Sequence, residues 1–396
     1  MRYYLDHAAT SPLRPEARDA WLDATDLTGN ASSTHGSGQA ARRLLESSRE
    51  RTAAVLGADP IEVVFTSGGT ESINLALQGL WRARDPHARA IVLPDAEHHA
   101  TFDTVAALAA DGAEVRAVPV TSDAHVTPEA FGAAMAPAGS ARAALATVLV
   151  ANNEVGTVND AAALAAVAAD ALVPLHLDAV AALGHVPLSY RELRGKAQPG
   201  SGLVALSVAG HKIGAPVGTG ALVVDRTARM APLQHGGAQQ RGLRAGTQDV
   251  AGAAAFAVAL ELAEAERRSE GVRLRILRDR LVQGIRAAVP ASELLGDPVN
   301  RLPGNAHLLF PGAVGESLLF MLDTAGVSSS TGSACQAGVA EPSHVVLAMG
   351  RSERDARSVI RLTLGRTSGD AEVDAVLAVI ADAYARASGT STGNRS

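Results

Sequence analysis

From about residue 57 to about residue 250 the chain alternates short β-branched runs with helical or alanine-rich stretches. The runs read EVVFTS, RAIVLP, EVRAVPV, ATVLVA, LVPLHLDA, LVALSVA and GALVV. Stretches such as TESINLALQGLWRAR and ATFDTVAALAADG separate them. A strand that rejoins its sheet through a helix lies parallel to its predecessor, and the crossovers cover both faces. The pattern therefore predicts a mostly parallel α/β sheet. Residues 14–56 read as a loop followed by the helix GQAARRLLESSRERTAAVLG. A long helical stretch over about 251–288 comes next. Beyond it lie the short strands AHLLF and SVIRLTL, with helices at GESLLFMLDTAG and DAEVDAVLAVIADAYARA. This last third reads as a smaller α+β domain.

Composition narrows the function classes. A chain of 396 residues, 47% hydrophobic and only 3% aromatic, can bury a large core of Ala, Val and Leu. The single cysteine, Cys335, excludes an intramolecular disulfide framework and a thiol-rich metal site. A net charge of −6 with both signs scattered leaves no footprint for direct nucleic-acid binding. The N-terminal MRYYLDHAATSPLRPEA lacks the apolar stretch of a signal peptide, and no window approaches a membrane span. The expectation is a soluble, cytoplasmic protein. Arginine supplies all but two of the 35 basic side chains, leaving Lys196 and Lys212. Arginine cannot form a Schiff base, whereas a desolvated lysine can.

Ligands of an open α/β sheet gather at the carboxyl ends of its strands. After EVVFTS come Gly68, Gly69 and Thr70 at a helix start, where Thr70 and Ser72 are candidate caps. Free N–H groups and the helix dipole there suit a phosphate, although Gly-Gly-Thr is also an ordinary loop. After RAIVLP come His98 and His99, suited either to stacking on a flat cofactor or to a solvated cap. After ATVLVA comes the polar turn NNEVGT. Asp178 ends the apolar run LVPLHLD, as a cap or as the partner of a buried cation. Lys212 follows LVALSVA in the glycine-rich HKIGAPVGTG, whereas Lys196 sits in the loop-like LRGKAQPG. A lysine, a carboxylate, a phosphate cradle and a flat imidazole at successive strand ends together fit pyridoxal 5′-phosphate.

These residues sit in segments that resemble one family nearly end to end. YLDHAAT, GNASSTHGSG, VVFTSGGTESINLA, EHHAT, ANNEVGT, HLDAV, GHKIGAPVGTGAL, HGGAQQRGLRAGT, SSSTGSACQAG and RLTLGR follow in the order of the cysteine desulfurases. These are pyridoxal-phosphate enzymes of fold type I in the class V aminotransferase group. The resemblance implies a large domain (13–258) with a mostly parallel seven-stranded sheet. It implies a smaller α+β domain (1–12 and 259–396) carrying an extended mobile catalytic loop at about 328–342. Its small residues would serve as a hinge. By position, Lys212 would hold the cofactor as a Schiff base, Asp178 would face its pyridine nitrogen, and His98 rather than His99 would stack on its ring. Gly69, Thr70 and His211 would hold the phosphate, with Thr247 reaching from the other subunit of a homodimer. Asn153 would lie near the ring and the substrate. Arg361 would bind the carboxylate of L-cysteine, and its other reading is a structural ion pair.

The implied activity converts L-cysteine to L-alanine and leaves a persulfide on Cys335 for a protein sulfur acceptor, in iron–sulfur cluster assembly or tRNA thiolation. Lys212, His98 and Cys335 would be catalytic, and no metal is implied. Alternatives are a selenocysteine lyase, another carbon–sulfur lyase, a transaminase or an idle scaffold. Two positions depart from the pattern. Ala181 stands where the family usually has Gln, and Ala209 where it usually has Ser. Each loss costs on the order of 1 kcal/mol of cofactor binding. Ser207, on the same strand face as residue 209, is the candidate to compensate.

Overall fold

The computed structural model describes residues 2–137, 142–332 and 341–389. Its centre is a seven-stranded sheet in the order 63–66, 220–224, 202–209, 174–178, 145–149, 90–94, 114–118. All neighbours pair in parallel except 220–224, which runs antiparallel to both of its partners. Two reversals leave 63–66 pointing the same way as 202–209, so its carboxyl end shares the edge where the others end. Residues alternate between the two faces: Ala90 and Val92 join one buried cluster, Ile91 and Leu93 another. The outer strand 114–118 is blunted by Glu114 and Arg116, paired at 2.8 Å, which discourages edge-to-edge association.

All seven β-branched runs form the strands of this sheet. The reading of residues 14 onward as loop is corrected: Pro15–Thr25 is an α-helix. Proline stands in its first turn, where the missing N–H costs nothing, and Ala17 and Ala24 are its buried positions. The segment is otherwise too charged and exposed for a sequence pattern to reveal an apolar stripe.

A second, three-stranded antiparallel sheet runs 359–363, 305–309, 293–294. Leu308, Phe310, Leu318, Ile360, Val376 and Ile380 fill its core. The 39-residue helix Val250–Ala288, capped by Asp249 accepting from the Gly252 N–H at 2.8 Å, serves both parts. Ala253 to Ala263 pack into the core of the large sheet, and Leu274 to Ile285 pack into the second core. None of the described helices is long and apolar enough to cross a membrane.

Candidate active site

A cavity of about 400 Å³ opens at the carboxyl edge of the large sheet, against Ser330, Gly332, His344 and Arg361 of the second part. Gly69, Thr70, His98, Asn153, Asp178, His211, Lys212 and Arg361 all line it. Each arrives there by a local feature of the chain. Asp178 is the last residue of strand 174–178, and Lys212 lies in the turn that follows strand 202–209. His98 caps helix His99–Ala110, and Gly69 and Thr70 open helix Gly69–Arg82.

Burial sets the chemistry of this cavity. The Asp178 carboxyl is pushed up to about 6 by desolvation, against the Val180 N–H that its Oδ1 accepts at 2.9 Å and against the charge of Lys212. The Lys212 amine is pushed down to about 8, again chiefly by desolvation, with Asp178 opposing and Arg361 assisting. An amine brought that close to neutrality is a nucleophile at physiological pH. His98 is held down to about 4 by burial and then by Lys212, His99, His344 and Arg361. Its Nδ1 accepts the Ala100 N–H at 3.1 Å. A nitrogen that accepts a backbone N–H carries no proton, so the proton of neutral His98 sits on Nε2.

The helix start is open on its cavity side, but not through side-chain caps. The N-cap residue is Gly68, which has no side chain to offer and whose own N–H goes to Thr66 Oγ1 at 3.4 Å. Ser72 Oγ is turned away to Thr66 Oγ1 at 2.7 Å, so the expectation that Thr70 and Ser72 act as caps is corrected. Gly68 holds φ +143°, a conformation that side chains disfavour. A Cβ on Gly69 would lie 2.6 Å from Val180 Cγ2, so only glycine lets the backbone approach this closely. Uncapped N–H groups at a helix start suit a phosphate. Together with a free amine and a buried acid, this donor set fits pyridoxal phosphate.

Arg361 is buried on strand 359–363. It donates through Nη1 to the Asn153 carbonyl and through Nη2 to Asp6 Oδ1, both at 2.9 Å, while its buried Nε has no partner among the described residues. The ion pair and an unspent donor therefore coexist in one guanidinium. Ala181 lines the cavity, whereas Ala209 is sealed from it. The expected help from Ser207 fails. Its hydroxyl is fully buried and meets His176 Nε2 at 2.7 Å, and His176 Nδ1 meets Thr147 Oγ1 at 2.9 Å. That chain crosses three adjacent strands and commits the hydroxyl to the sheet interior.

Thr247 is exposed and lines a separate hollow with Thr219, Gly220 and Arg244, so this chain does not bring it to its own cavity. Lys196 is exposed, as its loop-like setting implies. Cys335, and with it most of the 328–342 loop and its hinge, lies outside the described residues. Among the described residues no group of His, Cys, Asp and Glu has the arrangement of a metal site. Sequence reasoning passed over His344, Glu154 and Glu97. His344 and Glu154 line the cavity. Glu97 is buried behind it, with Oε1 accepting the Leu149 N–H at 2.8 Å.

Comparisons with known proteins bear on the family and the fold. The aminotransferase class-V family model matches residues 3–376. The IscS-like cysteine desulfurase of Mycobacterium tuberculosis is 47% identical over 390 residues, covering 97% of this chain and 96% of its own. Among solved structures, a NifS-like protein superposes with a TM-score of 0.87 at 30% identity, over 96% of this chain and 99% of that one. SspA, solved in complex with cysteine, gives a TM-score of 0.78 at 27% identity, over 91% and 98%. The strand order, the lysine turn and these matches place the chain in the class-V aminotransferase family, among its cysteine desulfurases.

Proposed function

We propose that this protein is a cysteine desulfurase, converting L-cysteine to L-alanine and passing the sulfur to Cys335. The observation that carries the reading is a single cavity. It holds a lysine amine lowered to about 8, a buried acid raised to about 6 and a guanidinium with an unspent donor. Pyridoxal 5′-phosphate bound there supplies an electron sink that loosens bonds around the amino acid's α-carbon. Asp178 would hold the proton of its pyridine nitrogen, and Gly69, Thr70 and His211 would hold its phosphate, with Thr247 of the partner subunit in a homodimer. Arg361 anchors the substrate carboxylate by charge-assisted hydrogen bonds.

Lys212 takes the α-proton at Nζ and returns a proton later, a task suited to an amine that loses its charge near pH 8. His98 presents its Nε2–H as a donor. Cys335 Sγ attacks the substrate sulfur, so a sulfur–sulfur bond forms while the Cβ–S bond breaks. The electron pair of that bond stays with carbon until a proton reaches it. One L-cysteine and one thiol thus become one L-alanine and one persulfide. The persulfide then serves a protein sulfur acceptor in the cytoplasm, for iron–sulfur cluster assembly or tRNA thiolation. The large domain (13–258) supplies the lysine side of the cavity, and the smaller one (1–12, 259–396) the arginine side.

The test is alanine formation from L-cysteine, with sulfide released from the persulfide by an added dithiol as reductant, by the wild type, Cys335→Ala and Lys212→Ala. Loss in both variants is expected. Wild-type turnover by Cys335→Ala refutes sulfur transfer through that thiol and indicates a lyase of the selenocysteine type. No alanine from the wild type refutes the activity and leaves the scaffold reading.

A further inference from the structure

One wall of the cavity carries a carboxylate and an imidazole that the steps above leave unused. Glu154 is almost fully buried, and its Oε2 accepts from Ser343 Oγ at 2.5 Å. Ser343 Oγ also accepts the Val346 N–H at 3.2 Å, which leaves its own proton for Glu154. The other carboxylate oxygen, Oε1, lies 3.9 Å from Nδ1 of His344, the first residue of helix His344–Ala348. On the far side of the ring, His344 Nε2 lies 2.8 Å from the Glu97 carbonyl oxygen.

A carbonyl only accepts, so Nε2 carries the proton, and in the neutral ring Nδ1 is bare. The ring is also held edge-on by His99, at 4.8 Å between centroids, and by Phe102, at 5.2 Å. The Glu97 carbonyl therefore sets its tautomer, and two parts of the chain, residues 97–102 and Glu154, surround the ring. His98 has the opposite arrangement. Its Nδ1 is spent on the Ala100 N–H, so it offers the cavity only a donor. His99 meets both rings edge-on and pairs with no carboxylate among the described residues.

We infer that His344 is the base that takes the thiol proton of the bound substrate, with Glu154 as the positioning residue that steadies the resulting imidazolium. The inference rests on the desulfurase reading for the identity of that thiol. In the step, the S–H bond breaks, its electron pair stays on sulfur, and a new N–H bond forms at Nδ1 facing Glu154 Oε1. The proton is returned when the product C–H or S–H bond forms, so none is lost overall. In a triad the carboxylate meets the nitrogen opposite the base. Here, instead, a carbonyl fixes the tautomer from the far side, and Glu154 lies 3.9 Å from the base nitrogen itself, where its charge favours the imidazolium. The charged and titratable groups around the ring are Glu154, Glu97, His98 and His99, with Lys212 and Arg361 across the cavity.

The experiment uses the holoenzyme and 3-mercaptopropionate, which offers a thiol and a carboxylate but no amine. Ultraviolet thiolate absorbance reports ionisation of the bound probe. Calorimetry in two buffers of different ionisation enthalpy counts the protons released. In the wild type the thiolate signal appears with almost no proton release, because the proton stays on His344. His344→Gln keeps a donor for the Glu97 carbonyl but has no basic nitrogen. It is expected either to lose the thiolate signal or to release one proton per thiolate formed. With L-cysteine the same variant loses about 100-fold in kcat with KM within about threefold. Glu154→Gln moves both signals in the same direction by less, and His99→Gln, which removes one edge contact but leaves Nδ1 in place, moves them less still.

Matching thermal melts and cofactor absorbance certify that the variants fold. No thiolate in the wild type, or the same signal and proton count in His344→Gln, overturns the inference. So does a loss confined to His99→Gln. Failure of the desulfurase reading shows separately, as absence of alanine from L-cysteine in the wild type.

Discussion

Replacing Gly69 with alanine tests the cofactor cradle with a single methyl group. That methyl would sit 2.6 Å from Val180 Cγ2, whereas carbon atoms in contact lie about 3.5–4.0 Å apart. Roughly 1 Å of overlap must be relieved by the helix start, by Val180 or by both. Val180 is β-branched and stiff at χ1, and its N–H is tied to Asp178 Oδ1 at 2.9 Å, so yielding there disturbs the acid as well. Overpacking of this kind costs about 1–3 kcal/mol. If the cost falls on the cofactor-binding conformation, affinity for pyridoxal phosphate drops by roughly 5- to 150-fold.

The relieving change is Val180→Ala, which removes the offending methyl. Its own cost is at most about 1.6 kcal/mol for two methyl groups, and less because Val180 is only partly buried. Absorbance titration of the apoprotein with pyridoxal phosphate, alongside urea unfolding, gives the four corners of a double-mutant cycle. A favourable coupling of about 1–3 kcal/mol between the two substitutions is expected. Should Val180→Ala leave the Gly69→Ala defect untouched, the steric account of the cradle is wrong.

Three further outcomes follow from the same cavity. Uptake of pyridoxal phosphate by the apoprotein speeds up as pH rises through about 8 and then levels off, because only the unprotonated Lys212 amine attacks an aldehyde; stopped-flow absorbance measures this. Asp178→Asn stabilises the apoprotein at pH 7.5 by up to about 3 kcal/mol while abolishing turnover, since it removes a buried charge. The folded carboxyl titrates near 6, above its unfolded value, so this gain shrinks as pH falls through 6 and is gone near pH 4 in urea melts. Arg361→Lys raises KM for L-cysteine by about 10- to 100-fold, because an ammonium cannot keep both the Asp6 and Asn153 contacts and still grip a carboxylate; steady-state kinetics decides it.

Much of this arrangement was legible along the chain. The seven runs of the large sheet are β-branched and bounded by turn signals, and each strand end carries its chemistry within a few residues. Asp178, Lys212 and His98 could be found for that reason. What escaped depends on contacts between distant segments. Ser343 meets Glu154 across 189 residues, and His344 meets Glu97 across 247, so no local window holds both partners. Ser207 misled because strand alternation says which residues share a face but not which neighbour claims a hydroxyl. The helix Pro15–Thr25 was hidden because it buries only two small alanines. Arg361 supported two readings in sequence: the ion pair is present, with Asp6, and the substrate-carboxylate role stays a proposal that rests on the unspent Nε.

The helix Val250–Ala288 has a further consequence, for unfolding. At 1.5 Å per residue it is about 58 Å long, and its two halves belong to different hydrophobic cores. Melting either core would strip the apolar face from half of one continuous helix, and the fraying would run into the other half. The two cores are thereby tied into one cooperative unit, and calorimetry should record a single endotherm. The cavity draws its walls from both parts, so it is lost in that same transition instead of opening first.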